Sequence, residues 1–176
     1  MPQSPSRPNA VDRIDLNILT ALYREARISK VQMSTEVGLS ASRCYERMRR
    51  LEHSKVIRGY HADIDIARLA SCLQFMVQVK LLNYTAARGK QFEKTILRIP
   101  EIIACQGVLG TIDYILVVIA ATVEKYQDVI GKLRAASECE FDFVTFPVSG
   151  TIKSTGQSDL GQVMGRLVQG AGGGAP

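Results

Sequence analysis

The stretch that decides the fold is SKVQMSTEVGLSASRCYERMRRL, residues 29–51. It carries the signals for two short helices joined by a tight turn. Ser29 and Gln32 have capping-box spacing, which predicts a helix start because each side chain can accept from an amide at the other's position. Gly38 predicts the end of that helix, since glycine adopts the left-handed conformation most easily. Ser40 then predicts the cap of a second helix.

The second helix is predicted to be amphipathic. Cys44, Met48 and Leu51 lie at i, i+4 and i+7, which predicts one buried face. The other side is rich in arginine, and we expect a basic outward stripe of Arg43, Arg47 and Arg50, with Ser42, Glu46 and Arg49 beside it. A helix of this width fits the DNA major groove, where the guanidinium fork matches guanine O6 and N7 or phosphate oxygens. A solvated charged face is the alternative, but the capped helix, glycine turn and basic helix together favour a DNA-binding helix-turn-helix.

The predicted DNA contacts divide by role. We expect Arg43 and Arg47 to reach base edges, and Arg49 and Arg50 to contact phosphates. A turn and a short strand are predicted after Leu51, and this segment is expected to touch the DNA backbone. The remaining predicted contacts are polar or charged residues of the motif and of that segment: Ser40, Ser42, Glu46, Lys55 and Arg58.

Charge is distributed unevenly along the 176 residues. Residues 1–60 contain 11 of the 22 lysines and arginines but only 6 of the 17 acidic residues, a net charge of +5. Residues 61–176 have a net charge of zero. Such an asymmetry is typical of a domain that binds a polyanion, followed by a neutral domain with another task.

Other classes of protein are disfavoured by the sequence. Cys44, Cys72, Cys105 and Cys139 have no C-x-x-C spacing and no nearby histidine, so we expect free thiols, with neither a zinc site nor a disulfide framework. The longest apolar run, residues 114–121, is far too short to cross a membrane. The first ten residues lack the apolar core of a signal peptide. We therefore expect a cytoplasmic protein with no membrane partner and no metal.

A helix over residues 11–24 is predicted to complete a three-helix core, and a repeated pattern follows it. Strands are predicted at 73–81, 102–109, 114–121 and 140–148, and helices at 86–98 and 123–136. Strand–helix–strand thus occurs twice, which predicts a four-stranded antiparallel sheet with both helices on one face, the ferredoxin-like arrangement. The fold class is therefore α+β.

One face of that sheet is expected to lack a cover. Either Phe75, Val77 and Val79 or their opposite neighbours must then find a partner, and a second copy of the chain is the simplest one. A homodimer through this domain also places two recognition helices at symmetric half-sites on DNA.

The predicted domain boundaries follow from these elements. They are a disordered lead-in at 1–11, a helix-turn-helix DNA-binding domain at 12–62, a linker at 63–72, a ferredoxin-like regulatory and oligomerisation domain at 73–153, and a glycine-rich tail at 154–176. In the tail we expect at most one or two amphipathic turns, because Gly161 and Gly165 weaken any helix there.

With both halves predicted, the sequence resembles the leucine-responsive regulatory protein/AsnC (Lrp/AsnC) family of bacterial and archaeal transcription regulators. The matching segments are DRIDLNIL (12–19), ARIS (26–29), VGLS (37–40), CYERMRRLE (44–52), VIRGYHA (56–62) and GTIDY (110–114). The resemblance implies a winged helix-turn-helix joined to a ferredoxin-like regulatory domain. It also implies dimers that assemble into tetramers or octamers, double-stranded DNA as partner, and an amino acid or related small molecule as effector, with no other cofactor.

The resemblance further implies where the effector binds. In such proteins it lies between subunits, held by the turn before the third strand and by the last strand of a neighbouring subunit. The corresponding residues here are Leu109, Gly110, Thr111 and Asp113 in the turn, and Phe146, Pro147 and Val148 in the strand. Backbone amides suit an α-carboxylate and an aspartate suits an α-ammonium group. Two departures are notable: Thr111 stands where many relatives have an acid, and Ala41 and Arg43 lie where many have proline.

Two other functions remain open. Decarboxylases acting on sirohaem derivatives share this two-domain layout, so the fold alone does not exclude an enzyme. Such chemistry needs general acids, usually histidine or arginine, and the second domain has a single histidine, His61, at its entrance, whereas His53 belongs to the recognition helix. A metabolite sensor acting through a protein partner is the third possibility, but it leaves the basic stripe unexplained. We therefore expect a regulator and not an enzyme.

Overall fold

The computed structural model describes residues 11–153 and 158–172. Residues 1–10 of the predicted lead-in, and residues 154–157 and 173–176 of the predicted tail, lie outside the described residues. The chain divides into two compact units. One comprises residues up to Asp63 together with those from Lys153 onward, and the other comprises Ile64–Ile152.

Three helices form the first unit's helix-turn-helix: α1 (Arg13–Arg24), α2 (Lys30–Val37) and α3 (Ala41–His53). The signals predicted at the start and at the end of α2 are confirmed. Ser29 and Gln32 form a capping box, and Gly38 ends α2 at φ +73°. The helices enclose a small apolar core of Ile18, Ala21, Leu22, Met33, Cys44 and Leu51.

A second capping box starts α1. The Asp12 carboxylate accepts from the Asp15 amide at 2.8 Å, and the Asp15 carboxylate accepts from the Asp12 amide at 3.1 Å. Both acids also interact favourably with the dipole at the start of this helix. The reciprocal pairing adds a geometric constraint, because it fixes the position of the Asp15 side chain on α1.

The short strand predicted after Leu51 does not form. The segment instead folds back onto α3: the Ile57 amide donates to the Leu51 carbonyl at 3.0 Å, and the Tyr60 hydroxyl donates to Glu52 Oε1 at 2.9 Å. Lys55 makes the bend with φ +60°. A strand requires a neighbouring strand to receive its backbone hydrogen bonds, and none of the described segments pairs with this one.

The predicted tail contains a full helix, α6 (Leu160–Gly172), which packs on α1 in the same unit. The sequence predicts only one or two turns here. Asp159 stabilises the start, because its carboxylate accepts from the Gln162 amide at 3.1 Å. Packing against α1 offsets the intrinsic cost of the glycines, which is about 1 kcal/mol each in a helix interior.

The second unit has the predicted ferredoxin-like arrangement. Its elements are β1 (Leu73–Leu81), α4 (Ala86–Ile96), β2 (Ile102–Gly107), β3 (Tyr114–Ala120), α5 (Val123–Ala136) and β4 (Phe141–Pro147), preceded by a 3-10 turn at Ile66–Arg68. The strand order is β2-β3-β1-β4 and every pair is antiparallel. The observed ends differ from the predicted ones by two residues at most.

The helices cover one face of the sheet and form the main core there. Phe75, Val77 and Val79 belong to this covered face and are at most 3% exposed, and the Phe75 ring stacks on Tyr126 at 4.1 Å. Their neighbours on β1 therefore belong to the open face, which settles the alternative that the sequence left open. The open face contains Gln74, Met76 and Gln78 from β1, Ile115, Val117 and Ile119 from β3, and Val144 and Phe146 from β4.

Two general properties limit the kinds of site to consider. Within residues 11–153 and 158–172, no helix has the length and apolar character needed to cross a bilayer. The same residues contain no group of three histidine, cysteine, aspartate or glutamate side chains that could hold a metal ion.

Candidate nucleic-acid interface and effector site

Two arginines of α3 are paired with acids of α1. Arg47 Nη1 lies 2.6 Å from Asp12 Oδ2 and 2.8 Å from Asp15 Oδ1, and Arg50 Nη2 pairs with Asp15 Oδ2. Asp15 is 0% exposed. The prediction that Arg43, Arg47 and Arg50 point outward together is therefore wrong for Arg47, whereas Arg50 is exposed but also paired with Asp15.

The cause of this orientation is the buried acid. A carboxylate removed from water is costly unless it is paired and hydrogen-bonded. Asp15 precedes Ile18 and Leu22 by three and seven residues, so it lies on the buried stripe of α1. Arg47 and Arg50, three residues apart on α3, supply both partners. The sequence signal that could have indicated this pairing is an acid at an apolar position of α1.

These contacts favour the charged forms of Asp12 and Arg47. Burial opposes ionisation of Asp12, but hydrogen bonds from the Asp15 amide and from Arg47 outweigh it, so the pKa of Asp12 lies below its usual value. The hydrogen bonds to Asp12 and then to Asp15 raise the pKa of Arg47. The residues Asp12, Asp15, Arg47 and Arg50, here called the arginine clamp, thus fix α3 against α1.

A different set of side chains forms the outward face of α3. Ser42, Glu46, Arg49 and His53 follow one another at helical spacing opposite the buried Cys44 and Leu51, and all four are exposed. We call these four residues the outward stripe. It contains hydrogen-bond donors and acceptors of the kinds that read base edges, since arginine matches guanine and glutamate accepts from the cytosine amino group. His53 was not among the predicted contacts.

The other predicted DNA contacts surround this stripe. Arg43 is exposed at the start of α3, and Lys55 and Arg58 are exposed in the segment after it. Ser40 serves as the helix cap, where its hydroxyl accepts from the Arg43 amide at 3.4 Å and lies 3.2 Å from the Ser42 hydroxyl. Arg50 keeps 44% of its side chain exposed, so its outer edge remains accessible although it is paired.

The predicted effector turn joins β2 to β3. Leu109 is 99% exposed, and Gly110 has φ +143°, which favours glycine. Asp113 holds the turn to β1: its Oδ2 accepts from the Leu81 amide at 2.8 Å, and its Oδ1 lies 3.4 Å from Lys80 Nζ. The Asp113 carboxylate is thus already engaged, which reduces its capacity to receive an α-ammonium group.

The other predicted effector residues lie at the far end of the sheet. Pro147 is paired with Phe75, and the Val148 amide donates to the Gln74 carbonyl at 2.8 Å, whereas the turn is bonded to Leu81. Seven residues of β1 separate Gln74 from Leu81, roughly 23 Å at 3.3 Å per residue. Within one chain the two predicted halves of the site are therefore not brought together.

A polar cluster that the sequence analysis missed lies on the covered side of the sheet. The buried Tyr114 hydroxyl donates to Glu93 Oε1 at 3.1 Å, and burial, followed by this contact, raises the pKa of Tyr114. Burial and then the charge of Glu93 raise the pKa of Cys105 to about 11. The Tyr114 hydroxyl and the Cys105 thiol are therefore favoured in their protonated forms near neutral pH.

Fold and site together define a class of protein. A helix-turn-helix with an exposed polar and basic recognition helix is joined to a separate ferredoxin-like unit, which is the organisation of a two-domain DNA-binding regulator.

Comparison with known proteins identifies the family. The profile described as "Winged helix-turn-helix DNA-binding" matches residues 11–58, and "Lrp/AsnC ligand binding domain" matches residues 74–157. The chain is 34% identical over 143 residues to the transcriptional regulatory protein DoeX of Halomonas elongata, covering 81% of this chain and 90% of that one. It is 33% identical over 156 residues to the leucine-responsive regulatory protein of Escherichia coli K12, covering 88% and 95%.

A solved structure agrees with these matches. The leucine response regulatory protein LrpA of Mycobacterium tuberculosis superposes with a TM-score of 0.70 at 25% identity, covering 81% of this chain and 95% of that one. The chain belongs to the Lrp/AsnC family of transcription regulators, as its sequence segments predicted. It is a transcription regulator with a helix-turn-helix DNA-binding domain and a ligand-binding domain.

Proposed function

We propose that the chain reads its operator through the outward stripe of α3, with Ser42, Glu46 and Arg49 at base edges. The observation that carries this proposal is the exposure of these side chains opposite the buried face of a helix held by the arginine clamp. Arg43 lies on one flank and contacts bases or the adjacent phosphate. Lys55 and Arg58 neutralise phosphates, as does the outer edge of Arg50. Arg47 acts as a positioning residue and makes no base contact.

The regulator acts as a homodimer formed through the open face of the sheet. Met76, Val117 and Phe146 place apolar side chains on that face, and Met76 and Phe146 are 40% and 46% exposed. Exposed apolar patches of this kind mark association surfaces. A two-fold dimer presents two α3 helices to half-sites about one helical turn apart. Assembly into tetramers or octamers uses a further surface, for which the fully exposed Leu109 is the strongest candidate.

The effector is an amino acid or a related small molecule bound between subunits. The roughly 23 Å between the two predicted halves of the site supports an inter-subunit location, since one chain alone does not bring them together. Leu109, Gly110 and Thr111 supply backbone amides for a carboxylate, and Asp113 shapes the turn. Phe146, Pro147 and Val148 of a second subunit then close the site. The names of the leucine-responsive relatives support this class of ligand.

In this proposal the chain regulates transcription and has no second activity. We propose that it works in the cytoplasm, where it meets DNA, and that it catalyses no reaction. The relatives named above are regulators, which supports a non-enzymatic role.

A pair of experiments tests the proposal. In a gel-shift assay at low salt, the full chain is expected to shift duplex DNA from its own upstream region. In a thermal-shift screen against the amino acids, the effector should stabilise the protein by about 2.7 kcal/mol at 100 times its dissociation constant. Gly110→Val should abolish that shift, because a side chain is strained at the φ of +143° that presents the amides of this turn. Leu97→Ala, at an exposed leucine on the helix side of the sheet, should retain it. No DNA shift would contradict the DNA proposal, and a flat screen would contradict the effector proposal.

A further inference from the structure

The DNA-binding unit is assembled from two separate stretches of the chain. The first ends at Asp63, and the chain returns to the unit at Lys153, after the regulatory unit has been completed. The returning stretch contains α6, which begins at Leu160 and so lies beyond the family match that ends at residue 157. The regulatory unit therefore has a covalent connection to the DNA-binding unit at each of its ends.

The contact between α6 and α1 is specific to one position. A Cβ atom added at Gly161 would lie 2.6 Å from Thr20 Cγ2 and 2.9 Å from Thr20 Oγ1, so a side chain at 161 would clash with the threonine side chain. A Cβ atom at Gly165, one turn further along α6, meets nothing within 4 Å. Next to this contact, Leu160 and Met164 line a cleft of about 1000 Å³ that they share with Leu19 of α1.

The docked helix leaves the DNA-reading surface free. Ser42, Glu46 and Arg49 are exposed with α6 in place, and the clamp on α1 uses Asp12 and Asp15. The contact with α6 uses other residues of α1, Leu19 and Thr20. Steric blocking of the recognition helix is therefore not the role of α6.

We propose that α6 is a fourth helix of the DNA-binding unit and that its docking on α1 gives the regulatory unit a second attachment to that unit. This second attachment pre-organises the DNA-binding unit for binding DNA. A unit attached through one linker can rotate about it and must lose that freedom on binding DNA. A second attachment restricts this rotation before DNA binds, so less rotational freedom is lost on binding. The inference rests on the DNA recognition proposed above. The second attachment leaves the sheet a few residues after Val148, a predicted effector residue.

Cross-linking tests the docking independently of DNA. The Cβ position at Gly161 lies 3.3 Å from Thr20 Cβ, close to the 3.5–4.5 Å spacing of a disulfide. Oxidation of the full chain carrying Thr20→Cys and Gly161→Cys should therefore give a cross-link within one chain. The matched control, Thr20→Cys with Gly165→Cys, should give little. Equal cross-linking of the two pairs, or no cross-link within the chain between positions 20 and 161, would overturn the proposal.

DNA binding tests the consequence. Gly161→Val should weaken operator binding at least fivefold, whereas Gly165→Val, matched in helix propensity, should change it less than twofold. The oxidised Thr20→Cys/Gly161→Cys chain should bind at least as tightly as its reduced form, which shows that a locked α6 is compatible with function. Equal affinities for the two valine variants, or loss of binding on cross-linking, would contradict the proposal. Failure of the unmodified chain to bind DNA would instead contradict the proposed function.

Discussion

The arginine clamp gives the most direct energetic prediction, through the substitution Asp15→Asn. The carboxylate of Asp15 pairs with Arg47 and Arg50 and accepts from the Asp12 amide. Asparagine keeps the size and one acceptor oxygen, so the backbone contact survives while the charge is lost. The variant therefore removes the negative charge from both pairs and places an NH2 donor opposite Arg47 Nη1.

The expected loss is about 2–3 kcal/mol of unfolding free energy. Hydrogen bonds to charged groups contribute about 1.5–3 kcal/mol each. The sum is reduced because the Arg47 and Arg50 side chains stay 26% and 44% exposed and can be rehydrated when the carboxylate is gone. Against a total stability of about 5–15 kcal/mol this loss is large. It should lower the melting temperature of the helix-turn-helix unit by roughly 10–20 °C.

Hydrogen exchange of the α1 and α3 amides in the full chain measures this loss, because it reports the stability of the unit separately from the regulatory domain. A double-mutant cycle with Arg47→Gln then tests the pairing. We expect a coupling of at least about 1 kcal/mol between Asp15→Asn and Arg47→Gln. Additivity within about 0.5 kcal/mol would refute the clamp. A change in base preference caused by Arg47→Gln would show that Arg47 reads DNA.

Three further predictions concern the other parts of the molecule. Arg49→Ala should weaken operator binding by about 1–3 kcal/mol and relax specificity at one base pair per half-site, measured by fluorescence anisotropy on single-base operator variants. Met76→Glu should convert the dimer to monomer in analytical ultracentrifugation, whereas Leu97→Glu, also at an exposed apolar residue, should not; a stable dimer in the Met76 variant would contradict the sheet-face interface. The depressed pKa of Asp12 contributes stability above its unfolded value of about 3.9, and this is lost as the pH falls through the folded pKa. The stability difference between the native chain and Asp12→Asn should therefore shrink on going from pH 7 to pH 3, and a difference independent of pH would contradict the ion pair.

Much of the fold follows from local signals in the sequence. The capping box at Ser29, the left-handed Gly38 and the repeated strand–helix–strand pattern depend only on neighbouring residues, and each is found in the structure. The strand predicted after Leu51 failed for the opposite reason. Strand formation depends on a pairing partner that the local pattern does not specify.

The outward orientation predicted for Arg47 does not agree with the helical period when all positions of α3 are considered. At about 100° per residue, Arg47 lies only about 60° from Cys44 and 40° from Leu51, on the edge of the buried face. The true centre of the outward face passes through Ser42, Glu46 and Arg49. Periodicity alone locates that stripe. The pairing of Arg47 with an acid on another helix is a tertiary contact and could only be suspected from the buried position of Asp15.

The local sequence pattern predicts neither the helix in the tail nor the geometry of the effector site. Glycine-rich composition predicts weak helix formation, but Gly161 allows a close approach to Thr20 that a larger side chain would obstruct. The effector residues occupy two ends of one sheet, so their geometry depends on how subunits assemble. Asp113 was predicted from resemblance as an ammonium ligand, while its hydrogen bond to the Leu81 amide gives it a structural task.

Selection of binding sites from a random duplex library is the most direct test of sequence-specific recognition by the outward stripe. The unmodified chain should select a pseudo-palindrome with half-sites about 10 base pairs apart. Arg49→Ala should lose sequence information at one position in each half-site, and Arg47→Gln should retain the full pattern. Loss of information in the Arg47 variant with none in the Arg49 variant, or no selection at all by the unmodified chain, would contradict the account.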